Sequence, residues 1–267
     1  MLAEVISIDI IILTKDNPLE LQRTVSSIPQ ECNLFQLRLI IIDGSSVPAL
    51  SPESLTSLTL KYPNSCYVNT RALNVFGIYP CMNHALKLIS SDWFIFMNSG
   101  DAFHSDFRLK WIHGFLRSPS LSVVFGRAQI ISPNYRITWE VPSPKIKRIE
   151  AWLRYTEPNH QAMFVRKHVS QQIAFDESCP IAADALWKRQ VLDKNRYVYL
   201  PLTIAVFMLG GVSSTYSLRH LALKLSEHSR RPHEKLMEVV KYILSKMGLF
   251  LPALQKAKSE AVAVLFS

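Results

Sequence analysis

The sequence predicts an α/β fold in which helices flank a mostly parallel β-sheet, followed by a helical C-terminal appendage. Three features of the 267-residue chain support this class. Strand-like apolar runs alternate with helix-like segments through the first hundred residues. Several runs are continuous rather than alternating, such as WFIFM at 93–97, which is typical of strands covered on both faces. From about residue 217 the pattern is that of amphipathic helix alone.

The first half of the chain predicts strands and helices in strict alternation. Pro18 suits a first helical turn, and the apolar positions of the third helix recur on one face. This βαβ order implies parallel strands joined by right-handed crossovers. The predicted elements, in chain order, are strand 6–13, helix 18–28, strand 37–46, helix 52–62, strand 66–70, helix 81–91 and strand 93–101.

The second half is more mixed. It predicts strands at 121–132 and 135–141, a basic linker or helix at 142–160, and a late strand at 195–207. We therefore divide the chain into an α/β domain at 1–216 and a basic amphipathic helical segment at 217–267. That segment is suited to lie on an anionic membrane surface, to form an oligomer contact or to pack on the domain.

The composition narrows the class of protein. The net charge of +9 favours an anionic partner, which leaves nucleic acid, phosphorylated ligands and acidic lipid headgroups open. Four scattered cysteines without Cys-x-x-Cys spacing indicate a reducing compartment. The apolar N-terminal stretch is interpreted as a buried strand rather than a signal peptide, and the run at 198–212 is broken by Pro201 and two glycines, so no transmembrane helix is expected. We expect a cytoplasmic protein, either free or peripheral on the inner face of the plasma membrane.

Two aspartates end predicted strands, Asp43 after the second and Asp101 after the fourth. Taken alone, each is most simply a turn or cap residue. In a parallel sheet, however, the carboxyl ends of the strands share one edge, and ligands bind there. The chain has neither a Gly-x-Gly-x-x-Gly loop nor a Walker loop, which disfavours a dinucleotide-dependent dehydrogenase and a P-loop enzyme. A nucleotide held by carboxylates and a metal ion remains.

Seven sequence blocks in register resemble glycosyltransferase family 2, especially its bacterial members that build polysaccharides. They include the IDGSS turn after the second strand, the GIYPCMN segment and the NSGD motif, a variant of Asp-x-Asp. The resemblance covers roughly residues 7–214, and the tail beyond residue 216 has no part in it. The blocks lie at 14–17, 42–46, 77–83, 98–101, 159–167, 175–190 and 209–214.

This resemblance implies a GT-A fold, a Rossmann-like arrangement typical of nucleotide-diphospho-sugar transferases. It also implies inverting transfer of a hexosyl or N-acetylhexosaminyl group from a nucleotide-sugar donor, with UDP as the expected nucleotide. The acceptor would be a polyprenyl-diphosphate-linked saccharide of surface polysaccharide (O-antigen or capsule) or lipopolysaccharide biosynthesis. A Mn²⁺ or Mg²⁺ ion neutralises the leaving diphosphate in such chemistry, and Asp101 is the expected metal ligand. The expected donor-binding residues are Thr14, Asp16, Asp43, Asn83, Ser99, Gly100 and Asp101.

The later blocks imply the rest of the machinery. Asp184 matches the block that supplies the general base, and the apolar residues 181–183 before it are expected to raise its pKa. His160 and Gly211 are expected near the acceptor or the diphosphate. Arg166 and Lys188 are further candidates for phosphate contacts.

The sequence departs from the family pattern around the nucleoside and sugar. The turn after the second strand reads SSVPALS, Val75 and Phe76 precede the GIY segment, and Pro80 follows its tyrosine, where family members carry acidic residues or glycine. The donor sugar, the acceptor and the oligomeric state therefore stay open. A catalytically inactive nucleotide-sugar-binding or partner-recruiting module is the alternative. A nucleic-acid-binding protein is disfavoured, because the basic residues are dispersed and no recognition motif accompanies them.

Overall fold

The structure is a computed structural model of the chain. It describes residues 5–30, 33–132, 138–142, 158–179, 183–209, 218–226 and 232–248.

The described residues form nine β-strands, eight α-helices and two short 3-10 helices. The strands are β1 (Ile6–Thr14), β2 (Phe35–Asp43), β3 (Cys66–Asn69), β4 (Trp93–Phe96), β5 (Ala102–Phe103), β6 (Val123–Ile131), β7 (Thr138–Val141), β8 (Met163–Arg166) and β9 (Tyr197–Met208). The α-helices are α1 (Pro18–Ser26), α2 (Pro52–Lys61), α3 (Ile78–Lys87), α4 (His113–Leu116), α5 (Lys167–Ser170), α6 (Ala183–Lys194), α7 (Leu218–Ser226) and α8 (Pro232–Lys246). The 3-10 helices are Leu109–Trp111 and His160–Ala162.

All nine strands join one sheet in the order β3-β2-β1-β4-β8-β6-β9-β5, with β7 on β6. The strands β3, β2, β1 and β4 are mutually parallel, which confirms the predicted α/β architecture of the first half. Beyond β4 the sheet is mixed, because β8 runs antiparallel to both of its neighbours. The sequence did not predict β8, although it lies at the centre of the sheet.

Two apolar layers cover the two faces of the sheet. In β1, Ile8, Ile10 and Ile12 face one layer and Ile11 faces the other, and all four are almost fully buried. Each such side chain contributes on the order of 1.5–3 kcal/mol of burial free energy. Burial on both faces of the sheet therefore explains the continuous apolar runs of the sequence, as predicted.

An ion pair with a buried carboxylate links two strands toward the amino-terminal edge of the sheet. Asp9 in β1 is fully buried, and its Oδ1 lies 2.7 Å from Arg38 Nε in β2. The same carboxylate accepts hydrogen bonds from the backbone N–H groups of Ser90 and Ser91. It thus ties β1 and β2 to the loop before β4, at the edge opposite the strand ends that carry Asp43 and Asp101.

The C-terminal helices α7 and α8 fall in the predicted helical segment and pack against each other through a buried Lys224–Glu238 pair. The predicted boundary at 216/217 lies outside the described residues. Among the helices that the structure describes, none has the length and apolar character needed to cross a bilayer.

Candidate functional site

The carboxyl ends of β1, β2 and β4 meet at one edge of the sheet, as predicted. Thr14 at the end of β1 is in register with Asp43 at the end of β2. The chain after β4 continues along β1, because the backbone N–H of Ser99 donates to the carbonyl of Leu13 at 2.9 Å. The turn that carries Asp101 therefore starts from a fixed point on the sheet.

Asp43 organises the loop that follows β2. Its side chain is fully buried, and its Oδ1 accepts from the backbone N–H of Ser45 at 2.8 Å. Its Oδ2 accepts from the backbone N–H of Ala49 at 2.8 Å and from the Tyr67 hydroxyl. Burial alone would raise the pKa of Asp43, but these hydrogen bonds outweigh it and lower the pKa. The structure thus brings Asp43 to the predicted edge and points its carboxylate into its own loop.

The loop after β1 is linked to the same structure. Asp16 adopts a φ of 52°, and its backbone N–H donates to Ser45 Oγ at 2.6 Å. Its Oδ1 accepts from the backbone N–H of Ser46 at 3.2 Å, and the N–H of Gly44 donates to the carbonyl of Thr14. Thr14 and Asp16 therefore lie beside the loop of Asp43, and their role in binding the donor stays a prediction.

The NSGD turn has the geometry that its sequence requires. Gly100 has a φ of +95°, which favours glycine, and a Cβ there would lie 3.2 Å from Glu20 Oε2. Thr24 in α1 fastens the turn, since its Oγ1 donates to the carbonyl of Asp101 at 2.6 Å and accepts from the N–H of Gly100 at 3.1 Å. The turn is thus held between β4 and α1.

The Asp101 carboxylate is 5% exposed and is reached by two donors. The backbone N–H of Met208, at the end of β9, donates to Oδ1 at 3.1 Å, and Gln161 Nε2 donates to Oδ2 at 2.8 Å. Burial dominates over these hydrogen bonds and raises the pKa of Asp101 to about 7. A carboxylate with this pKa gains strongly from a cation, which removes the cost of its charge.

Unpaired oxygens occur at the strand ends and on Gln161, which contacts Asp101. Within the described residues, five buried side-chain polar atoms have no hydrogen-bond partner, and four of them are oxygens at these strand ends or on the neighbour of His160. Buried polar atoms are normally paired, so these unpaired oxygens indicate a place for water, an ion or a polar ligand. The four are Thr14 Oγ1, Asn98 Oδ1, Ser99 Oγ and Gln161 Oε1.

Oxygen ligands fit Mg²⁺ or Mn²⁺, which take carboxylates, carbonyls and phosphate oxygens. In the part of the chain that the structure describes, no three His, Cys, Asp or Glu side chains are grouped as a metal cage. The residues present thus fit an ion that is held by Asp101 and completed by oxygens of a bound diphosphate.

Asp184 lies in the first turn of α6, among three polar side chains. Its Oδ1 accepts from the Tyr79 hydroxyl at 3.2 Å, and its Oδ2 lies 3.6 Å from His160 Nδ1 and 3.8 Å from Lys188 Nζ. Burial opposes the charge of Asp184, but Lys188, His160 and Tyr79 outweigh it and hold the pKa well below its usual range. The expectation of a raised pKa is therefore wrong, because these partners stabilise the anion more than burial disfavours it.

His160 and Gln161 connect the two carboxylates. His160 Nδ1 faces Asp184, and its Nε2 lies 3.4 Å from Asn98 Nδ2 in the turn after β4. Gln161, the next residue, donates to Asp101. Adjacent residues of one 3-10 helix therefore touch the predicted metal ligand and the predicted base.

The remaining predicted residues lie elsewhere. Asn83 uses its carboxamide on the segment before α6, with bonds to the backbone N–H and carbonyl of Phe175 and to Glu177, so it positions that segment, and its role in donor binding stays a prediction. The interpretation of Arg166 as a phosphate partner is wrong, since Arg166 pairs with Trp93 at the opposite end of β4 and donates to backbone carbonyls there. Gly211 lies outside the described residues.

Sequence reasoning missed Gln161 and Tyr79 as members of the site. Both stand in blocks that were singled out, but only their neighbours were given roles. Gln161 is fully buried and Tyr79 is 7% exposed, and a buried polar residue in a motif is the signal that was available for both.

A family model matches most of the chain. Residues 9–192 match the model described as "Glycosyl transferase family 2", a range that contains every described site residue from Thr14 to Asp184. Among curated protein sequences, none matches.

Solved structures of S. aureus TarS share the fold. TarS 1–349 in complex with UDP-GlcNAc matches with a TM-score of 0.58 and 18% identity, over 90% of this chain and 73% of that one. The same TarS fragment with UDP gives a TM-score of 0.55 and 16% identity, over 89% and 70% of the two chains. A longer TarS structure gives 0.56 and 16%, and there the chain spans only 43% of TarS. At these identities the likeness concerns the fold, and it confirms the predicted GT-A class.

Proposed function

The chain belongs to glycosyl transferase family 2, and on this basis we propose that it transfers a sugar, with inversion, from a nucleoside diphosphate to a saccharide hydroxyl. We propose UDP as the nucleotide and a hexosyl or N-acetylhexosaminyl group as the sugar. The likeness to TarS, whose structures are described with UDP-GlcNAc and with UDP, supports this choice. We propose a polyprenyl-diphosphate-linked saccharide of surface polysaccharide biosynthesis as the acceptor, on the resemblance of the sequence blocks.

One observation carries the proposal. His160 and Gln161 are adjacent, yet His160 contacts Asp184 and Gln161 contacts Asp101. A group suited to the leaving diphosphate and a group suited to the acceptor hydroxyl thus flank one short helix. Inverting transfer needs this separation of roles on two sides of one reacting carbon.

Asp101 and its surroundings serve the donor side. When bound, a Mn²⁺ or Mg²⁺ ion neutralises the charge that develops on the diphosphate. Asp101 is the carboxylate that would hold it, and Asn98 and Ser99 offer unpaired oxygens beside it. The loops of Asp16 and Asp43 border the nucleoside end of the donor in this proposal.

Asp184 serves the acceptor side. The acceptor oxygen attacks the anomeric carbon and forms the new glycosidic bond, while the bond from that carbon to the diphosphate breaks and the diphosphate keeps the electron pair. The acceptor proton passes to the Asp184 carboxylate. Because Lys188, His160 and Tyr79 keep its pKa low, Asp184 is ionised at neutral pH, and it takes the proton late, as the new glycosidic bond makes the acceptor oxygen acidic. Tyr79 and His160 also fix its orientation.

The test is a calorimetric titration with UDP, GDP and CDP, each with and without Mn²⁺. We expect metal-dependent binding of UDP, with at least a tenfold loss of affinity in Asp101→Asn, because one charge-assisted ligand is worth more than about 1.4 kcal/mol. Asp92→Asn is the matched control, because Asp92 lies just before β4 at the opposite edge, where its carboxylate accepts from Ser7. Equal binding by wild type and Asp101→Asn would contradict the donor assignment, and no nucleotide binding at all would leave the partner-recruiting module as the better description.

A further inference from the structure

The polarity of α8 is the reverse of that of an ordinary surface helix. A helix on a globular protein normally buries its apolar stripe and exposes its polar one. In α8 the residue turned toward α7 is Glu238, which is 4% exposed and accepts from Lys224 Nζ at 2.8 Å and Lys241 Nζ at 2.6 Å. The helix is therefore fixed to α7 through charges.

Four exposed apolar residues along and just after α8 face away from this ion cluster. They recur at spacings of four, three and four residues, so they form one continuous stripe about three turns long. Their exposed fractions are large for apolar side chains in water, and contiguous apolar patches of this kind mark interaction surfaces. The stripe consists of Leu236 (64%), Val240 (37%) and Ile243 (50%) of α8, together with Met247 (62%), the residue that follows the helix.

The charged side chains beside the stripe are positive. Lys235 and Lys246 are about three helical turns apart and thus follow the same side of α8. Among the charged side chains of α8 that the structure describes, the sole carboxylate is Glu238, and it is buried between two lysines. The outward surface of α8 therefore combines an apolar stripe with one exposed lysine, Lys246, and one partly exposed lysine, Lys235.

We propose that the stripe of α8 docks onto an anionic lipid surface, with the four apolar side chains in the acyl boundary and Lys235 and Lys246 at the headgroups. Amphipathic helices with basic flanks bind membranes in this way, and lysine stems extend along the apolar layer to place their amines at the surface. This proposal rests on the proposed function in one respect, since a lipid-linked acceptor has to be met at the membrane.

The charges favour a lipid surface over a second copy of the chain. A symmetric contact through the stripe would bring the lysines of one copy against those of the other. Helix pairs that associate through such stripes normally place carboxylates opposite lysines, and the described outward surface of α8 has none. Anionic headgroups supply the missing negative charge.

The experiment is co-sedimentation of the full chain with vesicles of phosphatidylcholine containing about 30% phosphatidylglycerol, against phosphatidylcholine alone. We expect binding to the anionic vesicles, weakened severalfold at about 0.5 M salt. Leu236→Ser/Ile243→Ser should reduce the partition constant at least tenfold, because two exposed apolar side chains no longer enter the acyl boundary. Lys235→Gln/Lys246→Gln should reduce it on anionic vesicles only.

Matched controls distinguish vesicle binding by the stripe from non-specific vesicle binding by other exposed residues. Leu60→Ser removes an exposed leucine of α2 (79% exposed) and Lys194→Gln an exposed lysine at the end of α6, and both should bind vesicles like wild type. UDP titration of each variant reports on the donor site separately, so loss of vesicle binding with intact UDP binding concerns α8 alone. Absence of vesicle binding by the wild type would overturn the proposal. So would a dimer in light scattering that the Leu236→Ser/Ile243→Ser variant disrupts while vesicle binding is unchanged.

Discussion

At the scale of single residues, burial decides the chemistry of Asp101. Its folded pKa is raised to about 7, against an ordinary value of 3.8. Protonation of Asp101 therefore favours the folded state. Its contribution to the free energy of unfolding is fully present below about pH 4 and is lost as the pH rises through about 7. Without ligand, we expect Asp101 to make the free energy of unfolding fall by about 2 kcal/mol between about pH 5.5 and pH 8. Urea denaturation at the two pH values measures this difference.

The variant Asp101→Asn isolates that contribution. Asparagine does not titrate, so the free energy of unfolding of the variant should not show the fall of about 2 kcal/mol that Asp101 causes in wild type over this pH range. The side chain is accommodated if Gln161 turns its carboxamide around, because its Oε1 has no partner and can accept from the new amide. An equal loss of stability in wild type and variant would mean that Asp101 is already ionised at the lower pH.

Tyr79 tests the acceptor side of the site. In Tyr79→Phe the ring still stacks on Phe175, but Asp184 loses the hydroxyl that donates to Oδ1. We expect turnover to fall about tenfold, since a hydrogen bond to a charged group contributes about 1.5 kcal/mol. The pKa of Asp184 should rise when this donor is removed, but it starts well below its usual range, so Asp184 stays ionised at neutral pH and the fall in turnover reflects the lost orientation of the base. Steady-state rates and UDP titration at neutral pH measure the effect.

A merely structural role for Tyr79 would give a different result. In that case UDP affinity and folding stability would fall together with turnover, whereas a role in orienting Asp184 lowers turnover and leaves both of them unchanged. The references are Asp184→Asn, which should abolish turnover while UDP still binds, and Asp193→Asn at the far end of α6, which should behave like wild type.

Whether the role of a single residue can be predicted from the sequence depends on how far along the chain its interaction partners lie. Asp43 and Asp101 were found because strand ends converge in any parallel sheet. The pKa of Asp184 was predicted in the wrong direction, because Tyr79 lies 105 positions away and acts only after folding. Local apolar neighbours could be read from the sequence, whereas the distant donors that outweigh them could not.

At the scale of elements, the parallel half of the sheet was predictable and the centre was not. The first four strands carry long apolar runs between clear helices. By contrast, β8 has four residues and follows the basic segment 142–160 directly, so periodicity gives it almost no signal. Its position is set by β4 and β6 on either side, which is information that a single segment lacks.

The packing of β6 on β9 has a point where no side chain fits. A Cβ on Gly126 would lie 2.4 Å from the carbonyl oxygen of Leu202 and 2.7 Å from Cδ1 of Ile204. Gly126→Ala must therefore push β9 away, and we expect a loss of about 3 kcal/mol in the free energy of unfolding. Because β9 ends at Met208, whose N–H donates to Asp101, UDP affinity should fall as well.

Gly114→Ala is the control for this prediction. A Cβ at Gly114, in α4, has no heavy atom within 4 Å, so alanine should leave stability unchanged or raise it by up to about 1 kcal/mol. Denaturant titration measures both variants. Equal stability of Gly126→Ala and wild type would show that β9 can shift without cost.

At the scale of the whole molecule, the order of the sequence blocks was more informative than any block alone. Each motif is compatible with an ordinary turn or cap, but their register along 200 residues identified the fold and the family. The net charge of +9 left the partner open. The structure adds where some of that charge lies, beside an apolar stripe on α8, which composition cannot show.

The central place of β8 also shapes how the chain is made. During synthesis β1, β2, β3 and β4 emerge first, and β4 then presents an unpaired edge until residues 163–166 arrive, about 70 residues later. At roughly 5–20 residues per second this interval lasts about 3 to 14 seconds. An open apolar edge is prone to pair with other chains, so the nascent protein has its greatest need of a chaperone before the ribosome has reached the residues that join Asp101 to Asp184.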